Sequence, residues 1–130
     1  IHAGAQFVVS PVFKEEIIEA AHRYDRVVIP GAFTPTEILS AWESGADVVK
    51  VFPATVGGPK YFRDILGPLP QVKLTPTGGV NLDNAADFMK AGAFCLGVGT
   101  ALLNKQFIAE NRWDELTQLA SKFISKIRIS

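Results

Sequence analysis

Short apolar or β-branched runs at residues 6–10, 26–30, 47–52, 72–77 and 94–98 alternate with segments of helical periodicity. No other feature narrows the fold as much. A strand buried on both faces reads as a nearly continuous apolar run, and strands that alternate with helices build a parallel sheet. The expectation is therefore an α/β protein.

The helical segments carry their own start and stop signals. Residues 14–24 place Ile17, Ile18, Ala21 and Tyr24 at helical spacing, with Glu15, Glu16, Glu19 and Arg23 elsewhere around the axis. Thr34-Pro35-Thr36-Glu37 reads as a capping box with proline at the first helical position, and Gly45 stands where a C-terminal cap belongs. Pro59 opens a helix over 60–66 that ends at Gly67-Pro68. Asn81 reads as the N-cap of 82–91, with Asp83 near the positive end of the helix dipole and Gly92 as the stop. Asn111 reads as the cap of a terminal helix on which Trp113, Leu116, Ala120, Phe123 and Ile127 keep a three/four spacing. Trp42, Phe62, Trp113 and Phe123 fall on apolar helix faces and are expected in the core.

The runs end in a common way. Ser10-Pro11, Pro30-Gly31, Phe52-Pro53, Thr75-Pro76-Thr77-Gly78-Gly79 and Gly97-Val98-Gly99-Thr100 all fall where a strand hands over to the next segment. In a parallel sheet these ends gather on one rim, where βα-loops build an active site. Two architectures fit: an open doubly wound sheet, or part of a barrel whose usual complement is about eight strands.

Size and charge exclude several function classes. A chain of 130 residues is one domain, 1–130, large enough to bury a core. Lys+Arg and Asp+Glu both number 13, and no basic cluster occurs, which argues against nucleic acid and anionic membranes as partners. The single Cys95 precludes an internal disulfide and fits a reducing, cytoplasmic setting. No apolar run approaches the ~20 residues of a membrane span. Ile1-His2-Ala3 has neither the features of a signal peptide nor an initiating Met, so the chain reads as cut from something longer. His2 and His22 are isolated, so the sequence offers no metal cluster.

Lys50 stands inside Asp47-Val48-Val49-Lys50-Val51-Phe52-Pro53-Ala54, a charged amine in a run that should be buried on both faces. An ammonium there costs several kcal/mol unless it is paired or sheds its proton. Neutral and desolvated, it is a nucleophile suited to Schiff-base chemistry with a carbonyl. The other reading is a strand-end lysine whose stem is buried and whose amine snorkels to water. Two glycine-bearing turns also stand out, Thr77-Gly78-Gly79 and Gly97-Val98-Gly99-Thr100. Glycines let backbone N–H groups approach an anion, and the hydroxyls of Thr77 and Thr100 add donors. Consecutive turns of this kind late in the chain match the phosphate site that (β/α)8 barrels place after their last two strands.

Taken together, Gly4-Ala5-Gln6-Phe7-Val8-Val9-Ser10-Pro11, Val28-Ile29-Pro30-Gly31, Val49-Lys50-Val51-Phe52-Pro53-Ala54, Thr75-Pro76-Thr77-Gly78-Gly79-Val80 and Gly97-Val98-Gly99-Thr100 resemble the 2-keto-3-deoxy-6-phosphogluconate (KDPG) / 4-hydroxy-2-oxoglutarate (KHG) aldolases. The resemblance covers essentially the whole chain. It implies a class I aldolase on a (β/α)8 TIM barrel, with this chain as strands four to eight and the C-terminal helix. It also implies Lys50 as the Schiff-base lysine, and Pro11, Phe52, Thr77, Gly78 and Gly79 as substrate-binding. Gly99 and Thr100 would lie at the phosphate end, where family members often carry Ser in place of Thr100. The implied partners are a phosphorylated keto acid and pyruvate, the implied mechanism needs no metal or organic cofactor, and the implied assembly of the intact protein is a homotrimer.

The family draws its proton shuttle and an anion contact from a glutamate and an arginine near the end of the second strand. Neither has a position in this chain, and a glycine-threonine motif of the third strand is likewise without one. Glu37 is committed to its cap, and Asp47 begins its strand at the rim opposite the chemistry. The chain alone is therefore expected to be a poor aldolase or none. Two alternatives remain on the residues alone: the related phosphogalactonate aldolase, and a non-catalytic phosphate-binding or assembly module in which Lys50 is structural.

Overall fold

The computed structural model describes residues 1–128. The chain runs β1 (Phe7–Val9), α1 (Glu15–His22), β2 (Val27–Ile29), β3 (Gly31–Ala32), α2 (Pro35–Glu43), β4 (Val49–Val51), α3 (Gly58–Leu66), β5 (Leu74–Pro76), α4 (Ala85–Lys90), α5 (Lys105–Ala109) and α6 (Trp113–Arg128). The strand expected over 26–30 extends to residue 32 and is interrupted at Pro30. Proline lacks the N–H that a ladder needs, so β2 and β3 serve different neighbours. Val27–Ile29 pairs with β1, in the register Phe7↔Val27 and Val9↔Ile29. Gly31–Ala32 pairs with β4, in the register Gly31↔Lys50 and Ala32↔Val51. The Pro30 carbonyl still accepts the Lys50 N–H at 2.8 Å, which joins the two halves. β5 adds on the far side of β4, through Val49↔Leu74, Lys50↔Thr75 and Val51↔Pro76.

All pairings are parallel, and spatial order equals chain order. A doubly wound sheet reverses its strand order and places helices on both faces. Here the order never reverses, and the helices pack on one face. Val28, Ala32, Val49, Val51 and Leu74 share one core with Ile18, Ala21, Ile38, Ala41, Phe62, Ile65 and Phe88 from α1 to α4. The opposite, concave face carries Phe7, Val9, Val27, Lys50 and Thr75. This is the winding of a barrel wall, and it removes the doubly wound option.

Local signals explain most element boundaries. Thr34 and Glu37 form the expected reciprocal capping box at the start of α2, and Gly45 follows its end at φ +98°. Asn81 accepts from the N–H groups of Asp83 and Asn84, as a cap does, but residues 82–84 form a turn and the regular helix begins at Ala85.

Three expectations are corrected. Residues 94–98 do not form a regular strand; a single parallel bridge, Thr77↔Gly97, marks their place. Asn111 does not cap α6: at φ +55° its N–H donates to Ile108 and closes the end of α5, a left-handed position asparagine tolerates. Trp113 is not core but 55% exposed, whereas Phe62 and Phe123 are buried. Among the described residues, no helix is long and apolar enough to cross a membrane.

Candidate active site

The register of the arc sets Gly31, Lys50 and Thr75 in one row across three adjacent strands, all on the concave face. Lys50 is 8% exposed and Thr75 4%. Val49 and Val51, on either side of the lysine in sequence, point the other way into the helix-covered core. Burial therefore holds the Lys50 amine below its ordinary pKa of 10.5, with desolvation as the cause. Among the described residues no carboxylate pairs with it. Its Nζ instead lies 4.6 Å from the centroid of the Phe52 ring, two residues along on the same face.

Phe52 links the lysine to the rim. A cleft of about 260 Å³ opens beside it, lined by Pro11, Val12, Phe13, Gly31, Ala32, Phe33, Glu37 and Phe52. Gly31 makes this close approach possible, because a Cβ there would strike the Pro11 carbonyl and the Val12 nitrogen. On the other side the turn after β5 folds over the same ring. Gly78 and Gly79 lie at φ +88° and +76°, a consecutive left-handed pair that only glycine adopts without strain. A Cβ built on Gly78 would sit 3.4 Å from Phe52, and the Thr77 carbonyl accepts the Ala54 N–H at 2.9 Å. Lys50, Phe52, Pro11, Thr77 and Gly78 thus converge, and Gly79 packs beside Thr55 at the same rim.

Gly99 and Thr100 are exposed further along the rim. Their connection runs through Gly97, which is pressed so closely on Thr77 that a Cβ would collide with its hydroxyl. Among the described residues, the N–H groups of Gly99 and Thr100 find no acceptor, while the Gly99 carbonyl takes the N–H of Leu102 and of Leu103 at 2.9 Å each. Two consecutive unpaired amides, one of them a glycine's, suit an anion.

Glu37, among the described residues the only carboxylate lining the cleft, is already hydrogen-bonded. It accepts from the N–H of Thr34 at 2.8 Å and of Phe33 at 2.9 Å. The Thr34 bond first, and the Phe33 bond next, hold its pKa below the ordinary 4.5. Asp47 stands at the other end of the sheet, 3.3 Å from His22 and accepting the Val28 N–H at 2.8 Å. His22 thus has a carboxylate partner that its place in the sequence did not disclose. Among the described residues, no group of three or more His, Cys, Asp or Glu side chains gathers as metal ligands do.

Sequence reasoning passed over Gly31 and Thr75 as site residues. Thr75 carried a signal of the same kind as Lys50, a polar side chain inside a buried run, and Gly31 gave none beyond its place at a strand end.

Known proteins resemble this chain in sequence and in fold. The family model for KDPG and KHG aldolase matches residues 1–119. The 2-dehydro-3-deoxy-phosphogluconate aldolase of Haemophilus influenzae is 34% identical over 127 residues, 97% of this chain and 60% of that protein. The native KDPGal structure superposes with a TM-score of 0.87 at 31% identity, over 98% of this chain and 60% of the other. KDPG aldolase from Legionella pneumophila, with pyruvate captured at low pH as a covalent carbinolamine intermediate, gives a TM-score of 0.79 at 29% identity, over 99% of this chain and 60% of the other. The chain thus spans about 60% of the length of these relatives.

Proposed function

Since the chain belongs to the KDPG and KHG aldolase family, we propose that Lys50 is a Schiff-base nucleophile toward the C2 carbonyl of a 2-keto acid. The observation that carries this is a buried lysine with lowered pKa and, among the described residues, no carboxylate partner, packed against the Phe52 ring that lines the rim cleft. The neutral amine attacks C2, water leaves, and the iminium withdraws electrons from the C3–C4 bond. In a class I aldolase of this family that bond breaks to release an aldehyde, and the remaining enamine is protonated and hydrolysed to pyruvate. The substrate reading is 2-keto-3-deoxy-6-phosphogluconate, cleaved reversibly to pyruvate and glyceraldehyde 3-phosphate, with 4-hydroxy-2-oxoglutarate as a second substrate. Phe52 and Pro11 would pack the keto acid, the Thr77–Gly78–Gly79 turn would take its carboxylate, and Gly99 with Thr100 would take the phosphate. The phosphogalactonate epimer is a second reading, favoured by the closeness of the KDPGal structure. A direct comparison of the two epimers as substrates separates them.

This reading takes residues 1–130 as a single domain holding strands four to eight of an eight-stranded barrel, in a cytoplasmic protein that is a homotrimer when intact. Sequential, singly wound strands and the 60% span of the relatives support the barrel part. Carbon–carbon cleavage also needs a proton shuttle within hydrogen-bond reach of the iminium. The described residues offer none beside Lys50, because Glu37 is held in its cap. Adduct formation is therefore what the chain's own residues carry, and full turnover is expected to be weak.

The test is incubation with pyruvate followed by borohydride reduction. A stable mass gain that maps to Lys50, and is lost in Lys50→Met, is expected. No adduct in a chain shown to be folded overturns the reading in favour of a non-catalytic phosphate-binding or assembly module.

A further inference from the structure

We propose that Thr75 is a positioning residue: its hydroxyl holds the strand segment that presents the anion-binding turn at 97–100. The inference rests on the functional reading above only in taking that turn as the phosphate end.

The ladder between β5 and residues 94–97 is irregular. Leu74 O accepts from Phe94 N at 2.8 Å, and Pro76 O accepts from Gly97 N at 2.9 Å. A step of two residues along β5 is therefore matched by three on the outer segment. The outer segment carries a β-bulge, a feature that bends a strand and re-aims the residues after it. The same stretch also lacks a backbone donor. In a parallel ladder the donor that should answer between those two bonds is the N–H of residue 76, and residue 76 is proline. A carbonyl of the outer segment is left without a backbone donor in a part-buried place.

The Thr75 hydroxyl fills that gap by donating to Cys95 O at 3.0 Å. Thr75 is 4% exposed, so water is a poor substitute for its donor. The bulge then delivers Gly97 against Thr77, in a seat with no room for a Cβ. Two residues later Gly99 and Thr100 present their unpaired N–H groups. One hydroxyl, on the strand beside the lysine strand and in register with Lys50, thus ties β5 to the segment that leads into the turn. A slip by one residue in the outer segment would turn its side chains and amides to the other face.

The experiment follows backbone amide resonances of the full chain during titration with inorganic phosphate, in parallel with pyruvate–borohydride trapping. Phosphate is expected to move the Gly99 and Thr100 resonances. Thr75→Val should weaken that binding roughly fivefold, the size of one neutral hydrogen bond, and by more than it lowers adduct yield. Thr75→Ser, which keeps the hydroxyl, should stay within about twofold, less than the loss of a hydrogen bond. In the unmodified chain the Thr75 hydroxyl proton should be protected from solvent exchange, a measurement that needs no variant to fold. Equal phosphate affinity in the valine variant, an unprotected hydroxyl, or no phosphate-dependent shift at Gly99 and Thr100 each overturns the inference. Failure to trap pyruvate on Lys50 overturns the aldolase reading instead, and leaves the phosphate titration to be judged by itself.

Discussion

An amine buried on the concave face against the Phe52 ring, with no carboxylate beside it among the described residues, is a cost to the fold. Burial lowers the Lys50 pKa from 10.5, so the folded chain binds that proton less tightly than the unfolded chain does. Between the lowered value and 10.5 the unfolded state carries more protons, and stability rises with pH across that window. Below it the penalty is present in full. Lys50→Met, similar in length and apolar, is therefore expected to raise stability at neutral pH by about 1 kcal/mol, measured by denaturant unfolding. The gain should shrink as pH approaches 10.5. The rate of borohydride-trapped adduct formation should climb with pH along the neutral fraction of the amine, with a midpoint below 10.5. A midpoint at or above the ordinary lysine value would show that the amine is solvated.

At the scale of elements, the start of α2 is the joint on which one side of the cleft depends. Its capping box holds Phe33 and Thr34 through Glu37. The Tyr61 hydroxyl from α3 donates to the Phe33 carbonyl, and the two rings stack at 5.2 Å between centroids. Burial, and then the Glu37 charge, push the Tyr61 pKa up, so this hydroxyl stays a donor at neutral pH. Thr34→Ala removes one half of the box and should cost about 1 kcal/mol in thermal or denaturant unfolding. Glu37 differs in its pH dependence. Its folded pKa is depressed, so its contribution is present above 4.5 and is lost as pH falls through the lower folded value. The stability difference between Glu37→Gln and the unmodified chain should accordingly be largest near neutrality and vanish in acid. A difference that persists at low pH would mean that the carboxylate charge is irrelevant to the cap.

For the whole molecule, winding on one side leaves the two faces of the sheet unequal. Helices α1 to α4 cover the convex face, while Phe7, Val9 and Val27 on the concave face are 59%, 49% and 47% exposed. They adjoin in register across β1 and β2, so they form a patch and not scattered apolar residues. Phe7→Ser combined with Val9→Thr should lower the binding of an apolar fluorescent dye by on the order of half while leaving the melting temperature within a few degrees. A large drop in melting temperature would instead place both side chains in the core.

Much of this was legible in the residues. Alternating runs and caps located four of the five strand segments, and the Thr34–Glu37 box and the Gly45 stop stand where their chemistry required. The Lys50 anomaly and the glycine turns picked out Lys50, Thr77 and Gly78, which converge in space with Phe52, a residue the family resemblance added. These features are local, since a cap, a left-handed glycine pair or a lysine among valines is defined within a few neighbouring residues. What the sequence left open was non-local. Whether helices flank one face or two depends on strand order, and strand order is a matter of pairing between segments tens of residues apart. The split of one strand at Pro30, the bulge opposite Pro76 and the bond from Thr75 to Cys95 arise only when a missing N–H meets a neighbour that needs it. Composition and periodicity determined which segments are strands and where a reactive group can sit, and the tertiary pairing decided which side chains share a face, because register is set between strands and not within them.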